Sequence, residues 1–391
     1  MPVSSYAETT DAEESTNGHT PINAENTQET KAPWDWSNRQ SRLVIGCFVS
    51  MILAVAWVAF SQLVQNAMVS PSFRAPFTLT YFFMVCPILL FPAYLCIARL
   101  VRSEPTMDVI RECIHVYKGS EEFHRLPFLW KSLLFCFISS LTVYTYMRAL
   151  QKLNASDCTA LFAANHSFVY LLSWIVLFEK FIAMRIFAMI FSITGIVLFA
   201  YVDGFGSPVM FGVVMGVASS AGAAVYGVMY KKFIGDATSA QAVFFLSLIG
   251  LLSLLLLWPL WLLLYLLGAE EINWGDVPWA MLIPSGFLTV VYWCMKECAV
   301  QLTYQFFIGL GLVLAIPICS VADTVWKVKG FPGMKIAALV LITIGVILIL
   351  LPENWHDFIC KHVRTKQRDS EQQTIGNSTT LRGRLSRTSY M

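Results

Sequence analysis

Apolar residues in this chain do not alternate, nor do they recur every third and fourth position; they run on continuously and then yield to short polar stretches. A continuous apolar run of about 20 residues is what a helix needs to cross a hydrocarbon layer about 30 Å thick. Windows of that length predict spans over 43–64, 77–98, 128–148, 156–178, 182–202, 208–230, 241–268, 278–300, 302–322 and 334–351. Lipid cannot satisfy backbone polar groups, so segments of this length must close their hydrogen bonds internally. The expected fold is an all-α membrane protein with ten transmembrane helices and both termini on one face.

The polar remainder frames those spans. Residues 1–42 are rich in Ser, Thr, Asn, Glu and Asp with no apolar run, so they predict a disordered tail without a cleavable leader. Residues 101–127 form a mixed-charge loop and 352–391 a polar tail. Lys and Arg tend to stay cytosolic. Placing the two tails, the loops after spans 2, 4 and 6, and the segment after span 9 on one face gives it 23 of the 27 bases. Arg74, Arg148, Lys152 and Lys296 fall on the other face, so both tails and the 101–127 loop are expected in the cytosol. On this assignment Lys296 and Glu297 lie near the outer end of span 8 and Asp323 near the inner end of span 9.

A shift of 150 positions lays "RIFAMIFSITGIVLF", from Arg185, over "KIAALVLITIGVILI", from Lys335, so that Gly195 meets Gly345 and Arg185 meets Lys335. Two similar blocks of five spans have opposite orientation because five is odd. The expectation is therefore two inverted five-helix repeats, 43–202 and 208–351, a layout whose solute sites lie near the midplane between the halves.

Polar residues inside the spans are the candidate chemistry, since hydrocarbon rejects them unless they find partners or water. In span 4, Thr159, Ala163, His166, Tyr170 and Ser173 share one helical stripe, with Asn165 a quarter-turn aside. That stripe faces a partner helix or a wet cavity. Tyr226 and Tyr230 in span 6, Tyr144 in span 3, and Tyr292 and Trp293 in span 8 offer flat apolar faces, several with a hydrogen-bonding tip. They read either as core and interface residues or as walls of a pocket for an aromatic or cationic solute. Glu297 would be the counter-charge for such a cation.

A net charge of +2, with bases at helix ends rather than in one patch, disfavours nucleic-acid binding. The ten cysteines include no CxxC pair and suggest neither a disulfide framework nor a metal site. No phosphate-cradling Gly-rich loop or catalytic constellation is evident, so neither an enzyme nor a cofactor is expected.

The stretches "ALQKLNASDCTALFAANHSFVYLLSWIVLFEKF" from Ala149, "YVDGF" from Tyr201, "LTYQFFIGLGLVLAIP" from Leu302 and "LLPENW" from Leu350 resemble the drug/metabolite transporter superfamily. Within it they are similar to the F-type branch of solute carrier family 35, over about residues 43–356. The resemblance implies a solute transporter with a central cavity, and thiamine, a cationic aromatic vitamin, as a candidate cargo. The expected protein is a secondary carrier working by alternating access on a small polar or cationic metabolite.

The site residues expected to bind it are Tyr144, Asn165, His166, Tyr170, Tyr226, Tyr230, Trp293 and Glu297. Its partners are a small-molecule solute and membrane lipids, with a homodimer left open, and its membrane is either the plasma membrane or the Golgi and endomembrane system. A nucleotide-sugar carrier is a rival disfavoured by the scarcity of bases at the midplane. A receptor or scaffold that moves nothing is the other.

Overall fold

The computed structural model describes residues 39–69, 73–102, 125–178, 183–202, 208–235, 238–272, 274–302, 305–327 and 333–350. The expected carboxyl-terminal tail and most of the 101–127 loop lie outside these residues, as does the amino-terminal tail except Arg39–Arg42, which the first helix takes in. The elements in chain order are α1 (Arg39–Val69), β1 (Phe73–Arg74), α2 (Pro76–Val85), α3 (Leu90–Arg102), α4 (Arg125–Leu150), α5 (Ala155–Ala163), α6 (Asn165–Leu177), α7 (Ala183–Val202), α8 (Pro208–Phe233), α9 (Ser239–Leu266), β2 (Glu271–Ile272), α10 (Trp279–Leu302), α11 (Gln305–Lys327) and α12 (Gly333–Leu350). Apart from the two-residue strands, the described elements are helices, some joined by short turns.

Nine helical segments among the described residues are long and apolar enough to cross a membrane. The second joins α2 and α3 through a 3-10 turn, Cys86–Leu89. Pro87 has no N–H to donate, so the chain tightens there instead of continuing as regular α-helix. The fourth joins α5 and α6 across Ala164, whose ψ of −8° interrupts the helix without a proline or glycine. The predicted eighth span corresponds to α10, a helix of 24 residues outside those nine. Pro284, Tyr292, two tryptophans and the Lys296–Glu297 pair dilute its apolar content.

The start of α1 and the end of α12 lie at one end of the bundle, because Gly46 packs on Phe307 and Gly309 on Leu350, both near the start of α11. We call this end proximal and the other distal. The distal end is stitched by β1 and β2, which pair antiparallel with Phe73 opposite Ile272. Beside them the buried Glu270 carboxylate accepts the Phe77 N–H, the Thr78 N–H at 2.9 Å and the Thr78 hydroxyl at 2.5 Å. These are free donors of the first turn of α2, where a negative charge also suits the helix dipole.

This packing corrects the assignment of charges. Lys335, at the start of α12, lies 3.6 Å from Asp157 at the start of α5, so the segment between α11 and α12 is distal. Asp323 is likewise distal, while Lys296 and Glu297 are proximal, since the Ser239 hydroxyl at the proximal start of α9 donates to the Glu297 carbonyl at 2.8 Å. The earlier grouping had counted the segment after an odd-numbered span with the termini. Moving Lys327, Lys329 and Lys335 across and Lys296 back changes the split from 23 against 4 to 21 against 6.

Helices pack in matching pairs. α7 lies on α12; α1 lies on α10 and α11, while α8 lies on α4 and on α5 with α6. The α7–α12 contact is close because of two glycines. A Cβ on Gly195 would come 2.6 Å from Ile342 Cγ1 and 3.0 Å from the Ala338 carbonyl; one on Gly345 would come 2.7 Å from the Ala188 carbonyl and from Ser192 N. Close backbone approach of this kind is how helices associate in lipid, where burial of apolar surface drives nothing. Large apolar residues such as Phe48, Phe137, Phe187, Leu255 and Phe287 point outward, as a lipid solvent permits.

Gly345→Ala places a methyl against backbone atoms that cannot turn away, and is expected to cost about 1–3 kcal/mol of stability. A melting temperature in detergent unchanged from the parent would contradict this packing.

Candidate functional site

The middle of the bundle is organised around Trp57, halfway along α1. Its ring stacks on Phe162 of α5 at 5.1 Å between centroids and meets Tyr292 of α10 at 5.4 Å, Tyr146 of α4 at 5.8 Å and Phe60 at 5.9 Å. Helices from both halves of the chain thus converge on one indole. Its N–H is buried and has no hydrogen-bond acceptor among the described residues. An indole donor buried in this way normally finds a partner. The Tyr146 hydroxyl is held by Ser61 Oγ at 3.2 Å.

On the distal side of these rings, buried polar groups join the two halves. The Gln62 side-chain N–H donates to one Asp323 oxygen at 2.8 Å, and the Ser156 backbone N–H donates to the other at 2.9 Å. Gln65 donates to the Leu153 carbonyl at 2.5 Å and accepts the Ala155 N–H at 3.0 Å. Asp323, Asp157, Gln62 and Gln65 are all buried. The Asp323 carboxylate meets a donor at the first turn of α5, where orphan N–H groups of a helix start are available. With Lys335 on Asp157, the network links α1, α5, α11 and α12 across the distal side.

The proximal side differs. Tyr292, Trp293, Lys296 and Glu297 on α10 and Asn165 and His166 on α6 are each half-buried. The Lys296 ammonium sits 4.3 Å from the centroid of the Trp293 ring, and Trp293 meets Tyr292 edge-on at 6.1 Å. His166 lies within electrostatic reach of Lys296, as do Lys296 and Tyr292 of Glu297. His166 Nδ1 bonds to the Ala163 carbonyl at 3.0 Å, just where the helix breaks, which leaves Nε2 toward Gly309. The arrangement offers π-faces and a carboxylate to a cation, and an imidazole and hydroxyls to polar edges. It holds no nucleophile paired with a base.

Of the eight residues expected from sequence, His166, Trp293 and Glu297 lie on this proximal side, with Asn165 beside His166. Tyr170 is buried elsewhere, under the Arg185 guanidinium 5.5 Å from its ring. Tyr226 and Tyr230 stack on each other at 6.3 Å and pack against Phe135 and Phe245, between α4, α8 and α9. Tyr144 points its ring toward Phe77 at 6.2 Å. Sequence reasoning missed Trp57, Tyr146, Phe162, Gln62, Gln65 and Asp157. Two glutamines and a mid-span tryptophan, away from the interfaces where tryptophan usually sits, were the available signal in span 1.

A polytopic helical membrane protein with a buried polar network on its distal side and a partly buried polar group on its proximal side is the class that these features define. No family model matches the chain. Curated relatives do. The chain is 32% identical over 368 residues to mouse solute carrier family 35 member F3, covering 91% of this chain and 87% of that protein. It is 32% identical to the human member F3, over 88% and 82%, and 30% identical to the human member F4, over 84% and 63%. The protein belongs to solute carrier family 35, among its F-type members in the drug/metabolite transporter branch.

Asp323→Ala would strand the Gln62 amide and the Ser156 N–H in a buried place, and is expected to cost about 1–3 kcal/mol. Asp323→Asn keeps an acceptor and should cost less. Equal melting temperatures for the alanine variant and the parent would refute the network.

Proposed function

We propose that the protein is a secondary transporter that moves a small polar or cationic metabolite, thiamine-like in chemistry, by alternating access between ten spans arranged as two inverted repeats. The observation that carries this reading is the partly buried set His166, Tyr292, Trp293 and Glu297 on the proximal side, reaching the Trp57 aromatic layer through Tyr292 and opposite a distal side tied by buried polar groups. Hydrocarbon would reject these groups, so they serve a water-accessible path. A conformation sealed on one side and accessible at the centre is one of the two states that such a carrier needs.

The packing of α7 on α12 supports the repeat. Adding 150 to Ala188, Ser192 and Gly195 yields Ala338, Ile342 and Gly345, so Gly195 approaches residues 338 and 342 while Gly345 approaches 188 and 192. Such reciprocal contacts are what a two-fold axis through an interface generates. The other pairings follow suit: exchanging each span with the one five later turns α1 on α10 into α8 on α4, and α1 on α11 into α8 on α5 and α6. This supports taking α10 as a span.

A cationic aromatic cargo fits the Trp57, Tyr292 and Trp293 faces and the Glu297 carboxylate. A nucleotide sugar would want several bases, and the central set holds Lys296 and His166. The corrected split of bases supports cytosolic termini, so the sealed distal face would be outer or lumenal. Family membership is compatible with an endomembrane or Golgi residence.

Purified protein in liposomes is expected to accumulate labelled thiamine and to leave a labelled nucleotide sugar outside. Tyr292→Ala and Glu297→Gln should each lower uptake about tenfold or more, the loss of roughly 1.4 kcal/mol of binding. Exchange of a nucleotide sugar with thiamine inert would reverse the assignment of cargo.

A further inference from the structure

Lysines in membrane helices normally snorkel along the surface until the ammonium reaches water. Lys296 does otherwise: its ammonium folds back over the Trp293 ring, 4.3 Å from the centroid, and remains half-buried. Glu297 follows it in the chain without an ion pair to it, and Tyr292 lies one turn before it, so the ammonium covers one of the π-faces that a cationic solute would seek, within electrostatic reach of the carboxylate. His166, on α6, lies within electrostatic reach of it.

We propose that Lys296 is a tethered stand-in for the cargo: it holds the cation subsite on Trp293 and Glu297 when the carrier is empty, and swings aside when a cationic solute enters. This rests on the cationic-solute reading above and deepens it. Its physical basis is charge balance. A chamber that closes around Glu297 with no cation beside it buries an unpaired carboxylate, which is costly. With Lys296 in place the empty chamber carries the same balance as the loaded one, so the empty carrier can reorient and complete a net uptake cycle. Without it, the carrier crosses chiefly when loaded and works as an exchanger. The flexible four-carbon stem permits both positions, and the proximal end of α10 lets the displaced ammonium reach water.

The test compares parent, Lys296→Met, Lys296→Ala and Lys296→Arg protein, purified and shown by melting temperature to be folded. Two quantities are read: the Kd for thiamine from quenching of tryptophan fluorescence, and the ratio of net uptake into empty liposomes to exchange into thiamine-loaded ones. Removing the internal competitor should tighten thiamine binding roughly 3- to 10-fold. The ratio of net uptake to exchange should fall at least tenfold in Lys296→Met and Lys296→Ala and recover in Lys296→Arg. Weaker binding in Lys296→Met and Lys296→Ala, or an unchanged ratio, would overturn the stand-in while leaving the transporter reading intact. Thiamine bound by neither the parent nor any variant would overturn the cationic cargo itself, and the stand-in with it.

Discussion

Asp323 is the residue on which the described architecture depends most. A carboxylate that is 2% exposed within an apolar bundle is tolerable only with donors on both oxygens, and it finds them on α1 and at the first turn of α5. Meeting that demand draws the distal ends of three helices together. Asp157, 1% exposed and next to the same turn, adds Lys335 and so brings in α12. The polar groups that apolar surroundings penalise are thereby what ties the helices together at one end of the molecule. At the other end, Lys296, Glu297 and His166 keep partial access.

Between the two ends lies the Trp57 layer, which packs on elements that reach both of them. Trp57 touches α10 through Tyr292, and Gln62 on the same helix holds Asp323. A shift of α1 therefore bears on both the distal seal and the proximal polar group. Asp323 at the end of α11 and His166 against Gly309 near its start place the two regions on a second shared helix. The account of function needs such shared elements, because alternating access requires that one side loosen as the other tightens.

Most of the fold was legible in the sequence because long apolar runs announce themselves without tertiary information. The predicted 43–64 appears as Leu43–Met68 and the predicted 334–351 as Gly333–Leu350. The site was less legible, for identifiable reasons. A helical wheel assumes one continuous helix, and the break at Ala164 ends that continuity between Thr159 and His166. A wheel also shows that residues share a face but not what the face meets: Tyr226 and Tyr230 align as expected and then pack on Phe135 and Phe245, away from His166. Trp57 escaped notice because an aromatic in an apolar run looks like core, and only the convergence of Tyr146, Phe162 and Tyr292 on it gives it meaning. The reciprocal glycines were visible in sequence as a matched pair; that each approaches the other's repeat required coordinates.

The central claim is that the distal seal opens during a cycle. Spin labels at Lys152 and Val325, both exposed and both distal, would report it through their separation by double electron–electron resonance in a cysteine-free background. An alternating carrier should give one short separation in the empty protein and a second, longer population once a transported cation is supplied. A single separation that stays the same with and without transported solute would contradict it.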